Sequence, residues 1–272
     1  MTKESKFAHD PGDLLSEKRD SVLVLTINRQ KSYNSWTGAL REELTRKLRA
    51  ADQDASVDAA ILTGAGNRAF CSGQDLSEIG KFNGADMEAG FERLTACYDA
   101  VRQFGKPLVA AVNGIAAGSG FQVTQFCDYV VAHEEVKLGQ TEVSSGLPSV
   151  FGTWLMWERI GSRAFELALQ GRLMDAEEAK QLGFINEIVG QTKVIDAAMD
   201  VARRLAKQPR LAYKISKAAN CQFTQERYSS AMNMALIAFR EAFDTGAPQK
   251  EIDQFFERRR TRKDTSVGNS RT

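Results

Sequence analysis

The chain has 272 residues, with Lys+Arg 36 against Asp+Glu 35, a formal net charge of +1, and hydrophobic and charged fractions of 43% and 26%. Such a length supports a sizeable core, and the balanced charge gives the whole molecule no general attraction to nucleic acid or an anionic membrane surface. Two histidines and four cysteines without a CxxC pair offer no metal site or disulfide framework, and no stretch approaches the roughly 20 apolar residues of a membrane span.

Residues 1–18 read as a loose leader that lacks the apolar run of a secretory signal, which predicts a cytoplasmic protein with reduced thiols. Residues 21–28 are rich in β-branched side chains and predict a strand, ended by the polar turn Asn28-Arg29-Gln30-Lys31-Ser32. From Thr37, Leu40, Leu44, Leu48 and Ala51 recur at helical spacing, with Arg41, Glu42, Glu43 and Lys47 on the polar face. Residues 59–63 predict a second strand, 87–104 a helix, and 108–112 a third strand opening onto Asn113-Gly114. Small residues from Ala116 to Gly120 lead into a short helix ending near Cys127, and residues 129–132 form the next strand. His133 falls at that strand's end, and His9 falls in the leader.

Strands alternating with helices predict an α/β body with crossover connections and partly parallel pairing. Residues 185–189 hold the last strand, after which helical patterns run over 194–205, 211–219 and 228–243. Ala231, Met234, Ile237, Ala238 and Phe239 make an apolar face suited either to the α/β body or to another subunit. Residues 251–263 close the ordered chain with the cations Arg258, Arg259, Arg260, Arg262 and Lys263, and 264–272 read as a disordered tail.

No GxxxxGK[ST] loop is present, and Val123 stands where a dinucleotide loop built on Gly118-Ser119-Gly120 needs a small residue. Two other small-residue loops follow strands, Ala69-Phe70-Cys71-Ser72-Gly73-Gln74-Asp75-Leu76 and Asn113 to Phe121. The second opens a helix, whose first amides lack intrahelical partners at the positive end of the dipole. Singly, each loop is explained by tight turns; paired, they can bind an oxyanion. Glu142, in Gly139-Gln140-Thr141-Glu142-Val143, adds a carboxylate. With so few histidines, any catalysis must rest on carboxylates, amides and backbone dipoles.

Together these blocks resemble the crotonase superfamily of enoyl-CoA hydratases and isomerases. Asn28-Arg29-Gln30-Lys31-Ser32-Tyr33-Asn34 is similar to its N-terminal signature, and Arg68 to Leu76 to its first oxyanion loop. Lys106 to Gly120 with Cys127-Asp128 is similar to its second loop, and Gly139-Gln140-Thr141-Glu142 with Gly146-Leu147-Pro148 to the segment that carries its acid. The resemblance implies a spiral of strand-strand-helix turns over 19–200 and a C-terminal helical trimerisation region over 201–263, giving a homotrimer or a hexamer of stacked trimers. It implies an acyl-CoA thioester substrate, coenzyme A entering only as part of that substrate, and no metal. It assigns the oxyanion donors to the backbone N–H groups of Gln74 and Ser119. It lays the CoA adenine along Ala69, Cys71 and Gly73, with Arg29, Lys31 or a neighbour's C-terminal basic run near the phosphates.

Two departures bear on the reaction. Two-carboxylate hydratases of the family place one glutamate where this chain has Gln122 and the other where it has Glu142. An amide positions a proton but does not exchange one at neutral pH, so Glu142 is left as a lone proton shuttle, which favours double-bond isomerisation. The alternatives are a hydratase in which Gln122 orients water and a non-catalytic acyl-CoA-binding homologue. RNA binding through the basic C-terminal run is disfavoured by the net charge. The second departure is Ser149-Val150-Phe151-Gly152, where the family often has a glycine-rich stretch. Phe151, Trp154 and Trp157 suit a core more than an acyl pocket.

Overall fold

The computed structural model describes residues 12–82 and 84–268, with the side chains of 84, 85 and 259–268 outside that description. Strands β1 (Leu14–Arg19) and β2 (Val22–Ile27) precede α1 (Gly38–Gln53), β3 (Ala59–Gly64), β4 (Ala69–Cys71), α2 (Leu76–Ile79) and α3 (Gly84–Arg102). Then come β5 (Leu108–Val112), β6 (Ile115–Ala117), α4 (Ser119–Phe126), β7 (Tyr129–His133) and β8 (Leu138–Gly139). Helices α5 (Val150–Ile160), α6 (Arg163–Gln170) and α7 (Ala176–Gln181) lead to β9 (Glu187–Val189), α8 (Val194–Ala206), α9 (Arg210–Asp244) and α10 (Ala247–Gly268).

Six strands form one sheet in the order β1-β2-β3-β5-β7-β9, and β4-β6-β8 form a smaller parallel sheet. In the larger sheet β1 is antiparallel to β2, and the other pairs are parallel. Each turn of the chain therefore gives one strand to each sheet before its helix, as in β3-β4-α3, β5-β6-α4 and β7-β8-α5. This is the strand-strand-helix spiral expected of the fold. The strands β3 and β5 are buried on both faces, which explains the apolar runs Ala59 to Leu62 and Leu108 to Val112. One core packs the sheets against α1, α3 and α5, and a second packs α8 on the opposite face of the larger sheet.

The boundaries differ from expectation in three places. Residues 14–18, expected in the leader, belong to β1: Leu14 points into the core while the next five residues are exposed, so the strand carries almost no apolar signal. The separate helices expected over 211–219 and 228–243 are one helix, α9, because its 35 residues contain no glycine or proline to interrupt it. Residues 264–268, expected as tail, continue α10. His9 lies outside the described residues, as do the side chains of Arg259, Arg260, Arg262 and Lys263. Among the described residues no helix is long and apolar enough to cross a membrane.

Candidate active site

The smaller sheet assembles the site. Cys71 pairs with Ala116 and Ala117 with Gly139, so β4, β6 and β8 end on one edge. The segments that leave those ends, 72–75, 118–120 and 140–142, become neighbours despite their separation in sequence. Parallel strands place ligand sites beyond their carboxyl ends, and here that edge borders a cavity of about 1060 Å³.

Backbone geometry makes the first two segments converge. Gly73 and Gly118 both have positive φ, +98° and +52°, a region costly to residues with a Cβ. A Cβ on Gly73 would lie 2.9 Å from the Ala117 oxygen and 3.5 Å from the Ser119 nitrogen, so there is no room for one. The N–H groups beside these glycines are used differently. Asp75 N–H donates to Trp36 O and Gly118 N–H to Gly139 O, each at 2.9 Å. The Gln74 and Ser119 N–H groups have no acceptor among the described residues. Ser119 also opens α4, so its unpaired amide stands at the positive end of a helix.

Glu142 faces the same space: an ideal Cβ on Gly118 would be 3.4 Å from its Oε1. Gln122 Nε2 donates to that oxygen at 2.8 Å, and Ser149 Oγ donates to Oε2 at 3.2 Å. Burial pushes the Glu142 carboxyl up to about 7, against the lowering hydrogen bonds from its own N–H, Ser149 and Gln122. Gln122 is held from behind by Tyr98, whose hydroxyl donates to Gln122 Oε1 at 2.5 Å, and its Nε2 also reaches Gln140 Oε1 at 3.1 Å. The same end of the Gln140 carboxamide lies 2.8 and 2.9 Å from the two Glu142 oxygens. With Gln140 Oε1 facing Glu142, a hydrogen bond between them needs a proton on Glu142, and one proton serves only one of the two contacts. An ionised Glu142 instead favours the Gln140 amide turned to donate. That turn sets the Gln140 nitrogen 3.1 Å from Gln122 Nε2, so the contact between the two amides is a hydrogen bond in one orientation only.

The residues expected along the CoA divide. Gly73 and the exposed Lys31 line the cavity, whereas the side chains of Ala69 and Cys71 are in the core and do not reach it. Cys71 is inert there, its thiol pushed up to about 12 by burial. Arg29 borders the cavity, but its guanidinium bonds Ser35 and pairs with Asp75 at 2.9 Å and Asp13 at 3.2 Å. It braces the first loop from inside. Burial alone would raise the Asp75 carboxyl, but hydrogen bonds from Ser77 and Arg29 outweigh it and hold the group below its usual range. Asn34 completes the brace, donating to Ala65 O and to Ala69 O at the start of β4.

Phe151 is buried, as expected for a core, and also lines the cavity, stacking on Tyr98 with centroids 5.5 Å apart. Trp154 packs on Phe151, while Trp157 is exposed. Sequence reading missed Tyr98, Gln140 and Arg41 as site residues. Arg41, assigned to a polar helix face, is 3% exposed and its guanidinium reaches the side chains of both Gln74 and Ser119. A cation four residues into an amphipathic helix gives no hint that two distant loops cover it.

Comparison with known proteins agrees with this geometry. Residues 17–264 match the family model described as enoyl-CoA hydratase/isomerase. A short-chain-enoyl-CoA hydratase of Clostridium acetobutylicum is 29% identical over 250 residues, covering 91% of this chain and 96% of that protein. A 2,3-dehydroadipyl-CoA hydratase of Escherichia coli is 31% identical over 210 residues, 76% of this chain and 81% of that one. The crystal structure of an enoyl-CoA hydratase from Bacillus anthracis superposes with a TM-score of 0.73 at 30% identity, covering 83% of this chain and 90% of that one. With a match that spans nearly the whole chain, three converging loops and an acid at their meeting point, the protein belongs to the enoyl-CoA hydratase/isomerase family.

Proposed function

We propose that this acyl-CoA enzyme moves the double bond of an enoyl-CoA thioester, with Glu142 as the proton shuttle. The thioester oxygen accepts from the free N–H groups of Gln74 and Ser119. Ionised Glu142 removes a proton from C2 of a 3-enoyl-CoA, and the electron pair spreads onto the thioester oxygen as a dienolate, which the two donors stabilise. Glu142 then returns the proton to C4, leaving the double bond between C2 and C3. No atom is lost, the change is redox-neutral, and coenzyme A enters as part of the substrate. A carboxyl near 7 suits both halves of this exchange at neutral pH.

The observation that carries the isomerase reading is the state of Gln122. Its oxygen accepts from Tyr98, and its amide nitrogen donates to Glu142 and Gln140. The residue that stands where a two-carboxylate hydratase needs a second acid is therefore a fixed amide donor to Glu142, with no proton to exchange at neutral pH. The second reading, hydration by Glu142 alone, is favoured by the names of the relatives, which are hydratases.

One experiment separates the two. Incubation with 3-enoyl- and 2-enoyl-CoA, followed by NMR, is expected to interconvert the two enoyl isomers with 3-hydroxyacyl-CoA as a minor product; dominant 3-hydroxyacyl-CoA would establish the hydratase instead. Tight binding without α-proton exchange in deuterated water would leave an acyl-CoA-binding homologue. For the CoA end, we assign the phosphates to the side of the cavity bearing Lys31, whose side chain is exposed there. Self-association as a homotrimer completes the reading.

A further inference from the structure

Arg41 is the fourth residue of α1 and borders the cavity. Its Nη1 donates to Gln74 Oε1 at 2.5 Å and its Nη2 to Ser119 Oγ at 3.1 Å. These are the side chains of the two residues whose main-chain N–H groups are free. Among the described residues no carboxylate oxygen lies within 4.0 Å of the guanidinium. Glu78, a carboxylate whose charge interacts with Arg41, spends both its oxygens on Gly38 N–H at 3.1 and 3.0 Å. The other titratable groups that feel Arg41, Cys71, Cys97 and Tyr98, are all raised by burial and stay neutral.

A buried cation with no carboxylate in contact gains when negative charge arises beside it. A second consequence concerns polarity. A carboxamide and a hydroxyl can each donate or accept, and either could present an oxygen to the substrate carbonyl. Arg41, which only donates, takes the oxygens of both. With one lone pair of each oxygen held by Arg41, the donors of Gln74 and Ser119 are Nε2–H, O–H and the two main-chain N–H groups, and none of these has an acceptor among the described residues.

We propose that Arg41 is a positioning residue for enolate formation: by engaging the oxygens of Gln74 and Ser119 it turns the donor groups of these side chains toward the thioester oxygen, and its charge, which no carboxylate contacts among the described residues, stabilises the negative charge that develops there. This rests on the oxyanion reading of Gln74 and Ser119. It also gives the side chains of Gln74 and Ser119 a shared purpose.

The test uses the full-length protein with Arg41→Met and Arg41→Lys, and reads turnover, α-proton exchange and the absorption of bound 2,4-hexadienoyl-CoA, whose red shift reports carbonyl polarisation. Arg41→Met is expected to lower kcat at least 30-fold, to leave KM within threefold and to lose at least half the red shift, while its thermal midpoint holds or rises. Arg41→Lys is expected to recover part of kcat. A kcat and red shift equal to wild type in folded Arg41→Met would overturn the proposal, as would a loss confined to KM. Should Arg41→Met fail to fold, the double variant Gln74→Met, Ser119→Ala keeps the main-chain donors and is expected to lose red shift; an unchanged shift overturns the proposal. If wild-type protein binds the dienoyl-CoA with no red shift at all, it is the underlying oxyanion reading that fails.

Discussion

At the scale of single residues, the proposed shuttle makes activity and stability depend on the same proton of Glu142. A general base must be ionised, so kcat/KM is expected to fall about tenfold per unit as pH drops below about 7, where burial has placed the carboxyl. Glu142→Gln should abolish α-proton exchange in deuterated water. Its effect on stability has the opposite sign. The folded group titrates above its ordinary value of 4.5, so the folded state holds the proton more tightly and loses stability as pH rises through about 7. Removing that carboxylate should therefore stabilise the fold at pH 8 by on the order of 2 kcal/mol, after allowing for solvent in the cavity, with little gain at pH 5; urea titrations at the two pH values measure it. Gln122→Glu tests the division between reactions. It puts a second carboxyl 2.8 Å from the first, where both cannot ionise together, and should yield a bell-shaped pH profile with more 3-hydroxyacyl product. Glu142, Gln122, Gln74 and Ser119 were legible in the sequence because they fall in fixed motifs. Tyr98 and Arg41 were not, because each looks like an ordinary helical residue until the loops fold over it.

At the scale of elements, the long strands could be read because β2, β3 and β5 hold unbroken runs of four or five apolar residues. The strands that build the site could not: β4 and β6 have three residues each and β8 has two, too few for any periodicity. Their alignment depends instead on side chains from elsewhere. Asn34 is 1% exposed with φ +57°, takes a hydrogen bond from Arg29 N–H and gives two to Ala65 O and Ala69 O. Truncation would strand those groups without water. Asn34→Ala is therefore expected to cost about 2–3 kcal/mol in urea unfolding, and to lower turnover in the folded fraction by loosening β4 and the first oxyanion loop. A variant with lowered stability and untouched turnover would show that β4 keeps its place without this brace.

At the scale of the whole molecule, α9 carries two apolar faces, and only one is covered. Tyr228, Ala231, Met232, Ala235 and Phe243 are buried. Leu211, Ile215, Phe223, Met234 and Ile237 are between 53% and 80% exposed. At about 100° per residue, the exposed set falls within an arc of about 140° and the buried set lies on the opposite side. The choice left open by the sequence, body or subunit, is thus divided along the helix: Ala231 turns inward, while Met234 and Ile237 turn outward. A stripe of large apolar side chains this long is unusual on a protein that stays monomeric, and it fits the homotrimer proposed above. Light scattering after size exclusion is expected to give three times the 30.0 kDa chain mass, or six times where two trimers stack. Charging the stripe with Phe223→Lys and Ile237→Glu touches no cavity residue and should shift the protein toward monomer. A wild-type monomer at micromolar concentration, or an unchanged mass in the charged variant, would mean that this face of α9 is not the contact.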